Sequence, residues 1–130
     1  MKFSTNNLQP IFKLSNICLI ILYLYPGSIL GFFLYNDFSD QPQITRDFFH
    51  TSSNHIYAFS LISILGLFAF KTKKRLFAYL VCLSIVLEFF HLVIPNRSFQ
   101  IGDLNGNLLG VIIPFLIYKV YEILFQTKKE

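Results

Sequence analysis

Ionisable and amide side chains are concentrated in one short stretch of an otherwise apolar chain. Glu88 and His91 stand three residues apart, so they share a face if the segment is helical. Asp103 and Asn107 stand four residues apart and share a face in the same way. Carboxylates and imidazoles at such spacings transfer protons, ligate cations or join helices through hydrogen bonds. This stretch is therefore the first candidate for a functional site.

The elements that must position these side chains are strongly apolar. Of 130 residues, 54% are hydrophobic and 14% are charged, a balance that cannot cover the surface of a water-soluble fold. A helix that crosses a bilayer needs about 20 apolar residues. The sequence therefore predicts an all-α fold, an integral membrane bundle of four transmembrane helices in a single domain over residues 1–130. The predicted helices are about 12–35, 54–70, 76–94 and 103–125.

The first apolar tract begins like a signal peptide, because Lys2 and Lys13 precede it. Its apolar run continues past Pro26 and Gly27 to Tyr35, which is too long for the apolar region of a signal peptide. We therefore expect a retained transmembrane helix with a kink.

Lysine and arginine are distributed unevenly between the two sides of the predicted bundle. Of 11 basic residues, nine fall on one side and two, Arg46 and Arg97, on the other. Because basic residues prefer the cytoplasmic side of short loops, we predict a multi-pass protein of the inner (cytoplasmic) membrane with both termini cytoplasmic. The net charge of +4 follows from this topology, so we expect membrane lipids and no nucleic acid as partners. The nine are Lys2, Lys13, Lys71, Lys73, Lys74, Arg75, Lys119, Lys128 and Lys129.

In this topology six polar side chains lie at one membrane depth, on the outer side. An ionisable residue inside a membrane helix costs about 2.5 to 3.5 kcal/mol to insert, so Glu88 is expected to face the protein interior with a partner. Arg97, Asn107 and His91 are the candidate partners, and a turn at Pro95 would fold the Arg97 guanidinium back over the carboxylate. The predicted outward-facing site consists of His55, Glu88, His91, Arg97, Asp103 and Asn107.

Three glycines lie beside the polar residues of the last predicted helix. Gly102, Gly106 and Gly110 repeat every four residues, the small-xxx-small pattern that lets a second helix approach closely. We predict that this stripe packs against another helix and buries the neighbouring Asp103 and Asn107 in the interface.

The order of these residues resembles the signature of the VanZ-like family of small bacterial membrane proteins, over roughly residues 50–114. Two positions depart from it: His91 stands where the family usually has glutamine, and Thr51 and Ser52 replace a common Asp-Lys pair. The resemblance implies a small membrane protein associated with the cell envelope, and it implies no particular reaction. The residues that match are His55, Glu88, Arg97, Asp103, Asn107 and Gly110.

Three hypotheses describe the polar residues. They form an interhelical network that only holds the bundle, with Asp103 also capping the last helix. Alternatively, Arg97 and His55 bind an anionic envelope ligand, since a guanidinium offers paired donors in one plane. In the third hypothesis Glu88 and His91, at a Glu-x-x-His spacing, bind a metal in a set that His55 and Asp103 complete, or Glu88 and His55 act as acid and base. We favour binding, and we expect no catalytic residue, no metal and no cofactor.

The class of function is open in the same way. The favoured hypothesis is an accessory or binding role in the cell envelope. One alternative is a structural accessory subunit of a larger membrane protein complex, because the helices carry more of the 16 Phe and 7 Tyr residues than four helices can bury. The other alternative is an enzyme that acts on a lipid-linked envelope substrate.

Overall fold

The structure, a computed structural model, describes residues 5–126 of the chain. Within these residues the fold is all-α, as predicted, with five helices and no strand. Three lysines used in the topology argument, Lys2, Lys128 and Lys129, lie outside the described residues. The helices are α1 (Thr5–Leu24), α2 (Ile29–Tyr35), α3 (Ser53–Ala69), α4 (Lys73–Phe90) and α5 (Ile101–Gln126).

The region 12–35, predicted as one kinked helix, forms two separate helices, because the chain breaks between α1 and α2. Pro26 has no N–H to continue the helical ladder. Gly27 has a φ of +118°, a conformation that side chains with a β-carbon rarely adopt. Ser28 then caps α2, because its Oγ accepts a hydrogen bond from the Gly31 N–H at 2.8 Å. The last carbonyls of α1 are therefore left without donors from their own helix.

The segment between α4 and α5 differs from the prediction at both ends. α4 ends at Phe90 rather than near residue 94, and the His91 N–H donates back to the Glu88 carbonyl at 3.1 Å. The Asp103 N–H donates to the Gln100 carbonyl at 3.1 Å, so Gln100 opens α5 and Asp103 lies inside the first turn. Asp103 is therefore not the capping residue of this helix.

α3 lies at the centre of the bundle, where it packs most extensively against α5 and also contacts α1 and α4. The glycines of α5 make this approach close. A β-carbon added at Gly106 would come within 2.6 Å of the Ser52 carbonyl oxygen and 2.8 Å of the His55 Cβ. A β-carbon at Gly110 would come within 2.7 Å of the Ile56 carbonyl oxygen. The backbones of α3 and α5 are therefore nearly in contact at the level of His55.

Among the residues that the structure describes, two helices are long and apolar enough to cross a membrane, over Asn7–Leu24 and Ile101–Phe125, and not all four predicted spans. Only 22% and 17% of their most apolar windows are buried inside the protein, whereas a core helix of a soluble protein is mostly buried. The apolar helix Ser53–Ala69 is shorter, with 17 residues. The large apolar surfaces of these helices indicate a membrane protein.

Candidate functional site

Asn107 of α5 is the centre of a hydrogen-bond network that reaches three other helices. It is fully buried, and its Oδ1 accepts a hydrogen bond from the Tyr23 hydroxyl of α1 at 2.7 Å. The same oxygen lies 2.9 Å from Nδ1 of His55 on α3. The Asn107 Nδ2 donates to the Ser84 carbonyl of α4 at 3.3 Å. One amide side chain therefore ties α5 to α1, α3 and α4.

His55 and Asp103 form the accessible edge of this network. The Asn107 Nδ2 donates to Ser84, so the oxygen of the amide faces His55 and the His55 Nδ1 carries the hydrogen. The other ring nitrogen, Nε2, lies 3.7 Å from the Asp103 Oδ2. The two side chains are 17% and 20% exposed, so this edge can be reached from outside the bundle.

Glu88 is fully buried, and the two oxygens of its carboxylate have different surroundings. Its Oε1 accepts a hydrogen bond from the Gln100 N–H at 3.0 Å and lies 3.4 Å from the His91 Nδ1. Its Oε2 is buried and has no hydrogen-bond partner among the described residues. A buried carboxylate oxygen without a partner is costly, because it has lost its water and gained nothing in exchange. The Glu88 carboxylate is therefore only partly satisfied by the protein.

His91 joins the end of α4 to α1. Its Nε2 lies 3.0 Å from the Tyr23 carbonyl oxygen, and a carbonyl can only accept, so this nitrogen carries a hydrogen. The imidazole also stacks on the Tyr23 ring, with ring centroids 6.0 Å apart and planes 19° apart. His91 thus lies between the Oε1 of Glu88 and the last turn of α1.

Of the three candidate partners of Glu88, His91 lies beside the carboxylate, whereas Arg97 is directed to the break between α1 and α2. Its Nε donates to the Tyr25 carbonyl at 3.2 Å. Its Nη2 donates to the carbonyls of Leu22 at 3.1 Å and Gly27 at 2.7 Å. The Leu22 carbonyl has lost its helical donor because residue 26 is proline, and Tyr25 and Gly27 lie in the break between α1 and α2. Arg97 therefore stabilises the helix break, a role that its position in the sequence did not indicate.

Arg97 also lines a cavity of about 410 Å³ beside the helix break. Burial lowers the pKa of the guanidinium from its ordinary value, and the Asp103 carboxylate opposes this shift. Three of the five guanidinium N–H groups are used on backbone carbonyls, which leaves the second terminal nitrogen for other acceptors. The cavity is lined by Ser28, Ser39, Gln41 and Asn96, among others.

Tyr23 is the residue of the network that the sequence did not reveal. It is buried, donates its hydroxyl hydrogen to Asn107 and contacts the His55 ring edge-on, with ring centroids 5.0 Å apart. Tyr23 stands in an apolar tract among Leu and Ile residues, where a tyrosine is as compatible with the membrane interface as with a buried network. No spacing relates it to the polar residues of the later helices.

The structure thus brings five of the six predicted site residues into one group, which we call the polar cluster: His55, Glu88, His91, Asp103 and Asn107. Arg97 lies beside it with its own partners. Within the polar cluster, His55, Glu88 and Asp103 each offer one ligand atom, and these atoms lie within 4.8 Å of one another. The arrangement has atoms that can ligate a cation, and it has a partly exposed edge through which a ligand can enter.

Comparison with known proteins extends the resemblance along the chain. The model of the VanZ/LLP1 family matches residues 2–125, which covers the whole bundle and not only the polar stretch. No curated protein and no solved structure matches the chain.

Proposed function

The chain belongs to the VanZ/LLP1 family, and from this and the geometry of the polar cluster we propose that it is a multi-pass membrane protein of the cell envelope that binds a polar ligand at this cluster in an accessory role. The observation that carries the proposal is the buried, unpartnered Oε2 of Glu88. A network that served only to hold helices would satisfy this oxygen, because an incompletely satisfied buried carboxylate weakens the bundle.

In the proposed topology α1, α3, α4 and α5 each cross the membrane. α4 has 18 residues and α3 has 17, so both are near the lower limit of a span and rely on polar residues at the interface. α2 lies at the outer interface, where the exposed aromatic rings of Phe33 and Tyr35 favour the headgroup region.

The orientation follows from the basic residues at one end of the bundle. Lys13 and Arg75 line a common cavity of about 530 Å³, and the Lys73 ammonium lies 5.3 Å from the centre of the Tyr118 ring. We place this end in the cytoplasm, since basic residues favour that side. The polar cluster lies at the opposite end and then faces outward, toward lipid headgroups and other envelope components.

The cavity beside Arg97 supports an anionic group as part of the ligand. The guanidinium retains donors that are not used on the helix break, and it lines the same cavity as Ser28 and Ser39. A phosphate or carboxylate in this cavity would lie next to the polar cluster.

A structural role in a larger membrane complex is the second candidate, because large apolar side chains remain exposed. Phe33 is 77% exposed and Leu61 is 72% exposed. Such faces suit lipid as well as neighbouring subunits, so this role makes a distinct prediction: partner chains at fixed stoichiometry.

Native mass spectrometry of the protein released gently from its own membrane tests the proposal. We expect the wild-type chain to carry a discrete ligand mass that is lost in Asp103→Asn, because this change removes the carboxylate through which the accessible edge of the cluster contacts the ligand. Asp40→Asn is the matched control, since Asp40 is an exposed carboxylate of the α2–α3 segment. An identical ligand mass in both variants, or partner chains as the only bound species, would contradict a binding function for the cluster.

A further inference from the structure

We propose that the ligand of the polar cluster is a divalent first-row transition-metal ion, bound by His55, Glu88 and Asp103. This inference rests on the proposed function, because it names what the same cluster binds. One ligand atom from each of the three residues lies within 4.8 Å of the others, a spacing that a single ion can bridge after small side-chain rotations. The three residues come from α3, α4 and α5, so the ion would join three helices.

The hydrogen bonds around His55 prepare it as a ligand. Metal-binding histidines almost always donate the second ring N–H to an oxygen acceptor, which fixes the tautomer and the ring orientation. Here the Nδ1–H of His55 donates to the Asn107 Oδ1 at 2.9 Å, and Asn107 is itself held by Tyr23 and Ser84. The lone pair of His55 is thereby left on Nε2. This is the nitrogen that approaches Asp103, at 3.7 Å, which is too long for a direct hydrogen bond.

Glu88 provides an independent observation that points to a cation. One of its oxygens, Oε1, is held by the Gln100 N–H and lies near His91, as expected for a ligand carboxylate oriented by its outer neighbours. The other oxygen, Oε2, is completely buried and has no partner among residues 5–126. A metal ion would supply the missing interaction.

The donor set selects the class of ion. Mg²⁺ and Ca²⁺ prefer oxygen ligands alone, whereas an imidazole together with two carboxylates suits Mn²⁺, Fe²⁺ or Zn²⁺. Three protein ligands leave coordination positions free, and the 17% and 20% exposure of His55 and Asp103 lets water or an anionic group reach them.

The test uses the full chain, free of any affinity tag, in detergent or nanodiscs. The protein is treated with a chelator and equilibrated separately with Zn²⁺ and Mn²⁺. Its bound metal is measured by inductively coupled plasma mass spectrometry. We expect about one ion per chain for at least one of the two metals. We expect binding at least about tenfold weaker in His55→Asn and in Asp103→Asn, because each removes a ligand.

Two matched controls separate the site from adventitious binding. His50→Asn changes a histidine outside the cluster whose φ of +56° asparagine tolerates, and Asp40→Asn changes an exposed carboxylate. Both controls should bind metal as the wild type does, and circular dichroism should show all variants to be folded. Folded wild-type protein that binds neither ion, or ligand variants that bind as tightly as their controls, would overturn the proposal. If these results came with a native ligand that Asp103→Asn still removes, the metal would be rejected and the binding function would stand.

Discussion

Gly106→Leu is expected to lower the free energy of unfolding by about 3 kcal/mol, near the upper end of the usual cost of overpacking. The reason is that the first atom of any side chain at this position meets the Ser52 carbonyl oxygen at 2.6 Å and the His55 Cβ at 2.8 Å. The backbone at the start of α3 can shift only at a high cost in free energy, so α3 and α5 must separate. The separation would also pull His55 away from Asn107.

The measurement is unfolding of the purified protein in mixed micelles by a denaturing detergent, followed by circular dichroism. Ala78→Leu is the matched control, because it enlarges a small residue at an exposed position of α4. The control should unfold as the wild type does. If Gly106→Leu were as stable as Ala78→Leu, the close contact between α3 and α5 would be absent in the membrane protein.

Asn107→Ala is expected to destabilise the protein by about 2 to 4 kcal/mol. The change leaves the Tyr23 hydroxyl and the His55 Nδ1–H without their common acceptor, and the Ser84 carbonyl loses a donor. Each buried polar group left unsatisfied costs about 1 to 3 kcal/mol, and hydrogen bonds between membrane helices fall toward the lower part of that range. The same unfolding assay measures the loss.

Asn105→Ala gives the control for this substitution, because Asn105 is exposed on the same helix, two residues away. It should change the stability little. Equal stability of Asn107→Ala and Asn105→Ala would mean that the network of Asn107 does not hold the four helices together.

The helical content of the fold was predictable from the sequence because apolar tracts of bilayer length leave few other structures. The break after Leu24 was only partly predictable. Pro26 and Gly27 indicated a kink. Whether the helix kinks or ends depends on Ser28, which caps a new helix, and this local contact competes with continuation of α1. Small differences in loop geometry decide such competitions.

The sequence predicted which residues form the polar cluster better than it predicted which of them contact one another. Spacing on helices placed Glu88 with His91 and Asp103 with Asn107, because helical periodicity is rigid. Arg97 lies in a loop, and its long side chain donates to carbonyls in the last turn of α1 and in the break after it, not to the Glu88 carboxylate. Its partners depended on a helix break that the sequence did not fully reveal.

The most direct test of the outward-facing site is the labelling of single cysteines in intact cells with a maleimide that cannot cross membranes. The native Cys18 and Cys82 are free and exposed, so both are first replaced by serine. Gln41→Cys reports on the cavity beside Arg97, and Thr72→Cys reports on the basic turn at the other end. We predict labelling of Gln41→Cys in intact cells and labelling of Thr72→Cys only after permeabilisation. The reverse pattern would place the polar cluster on the cytoplasmic side and contradict its role toward the cell envelope.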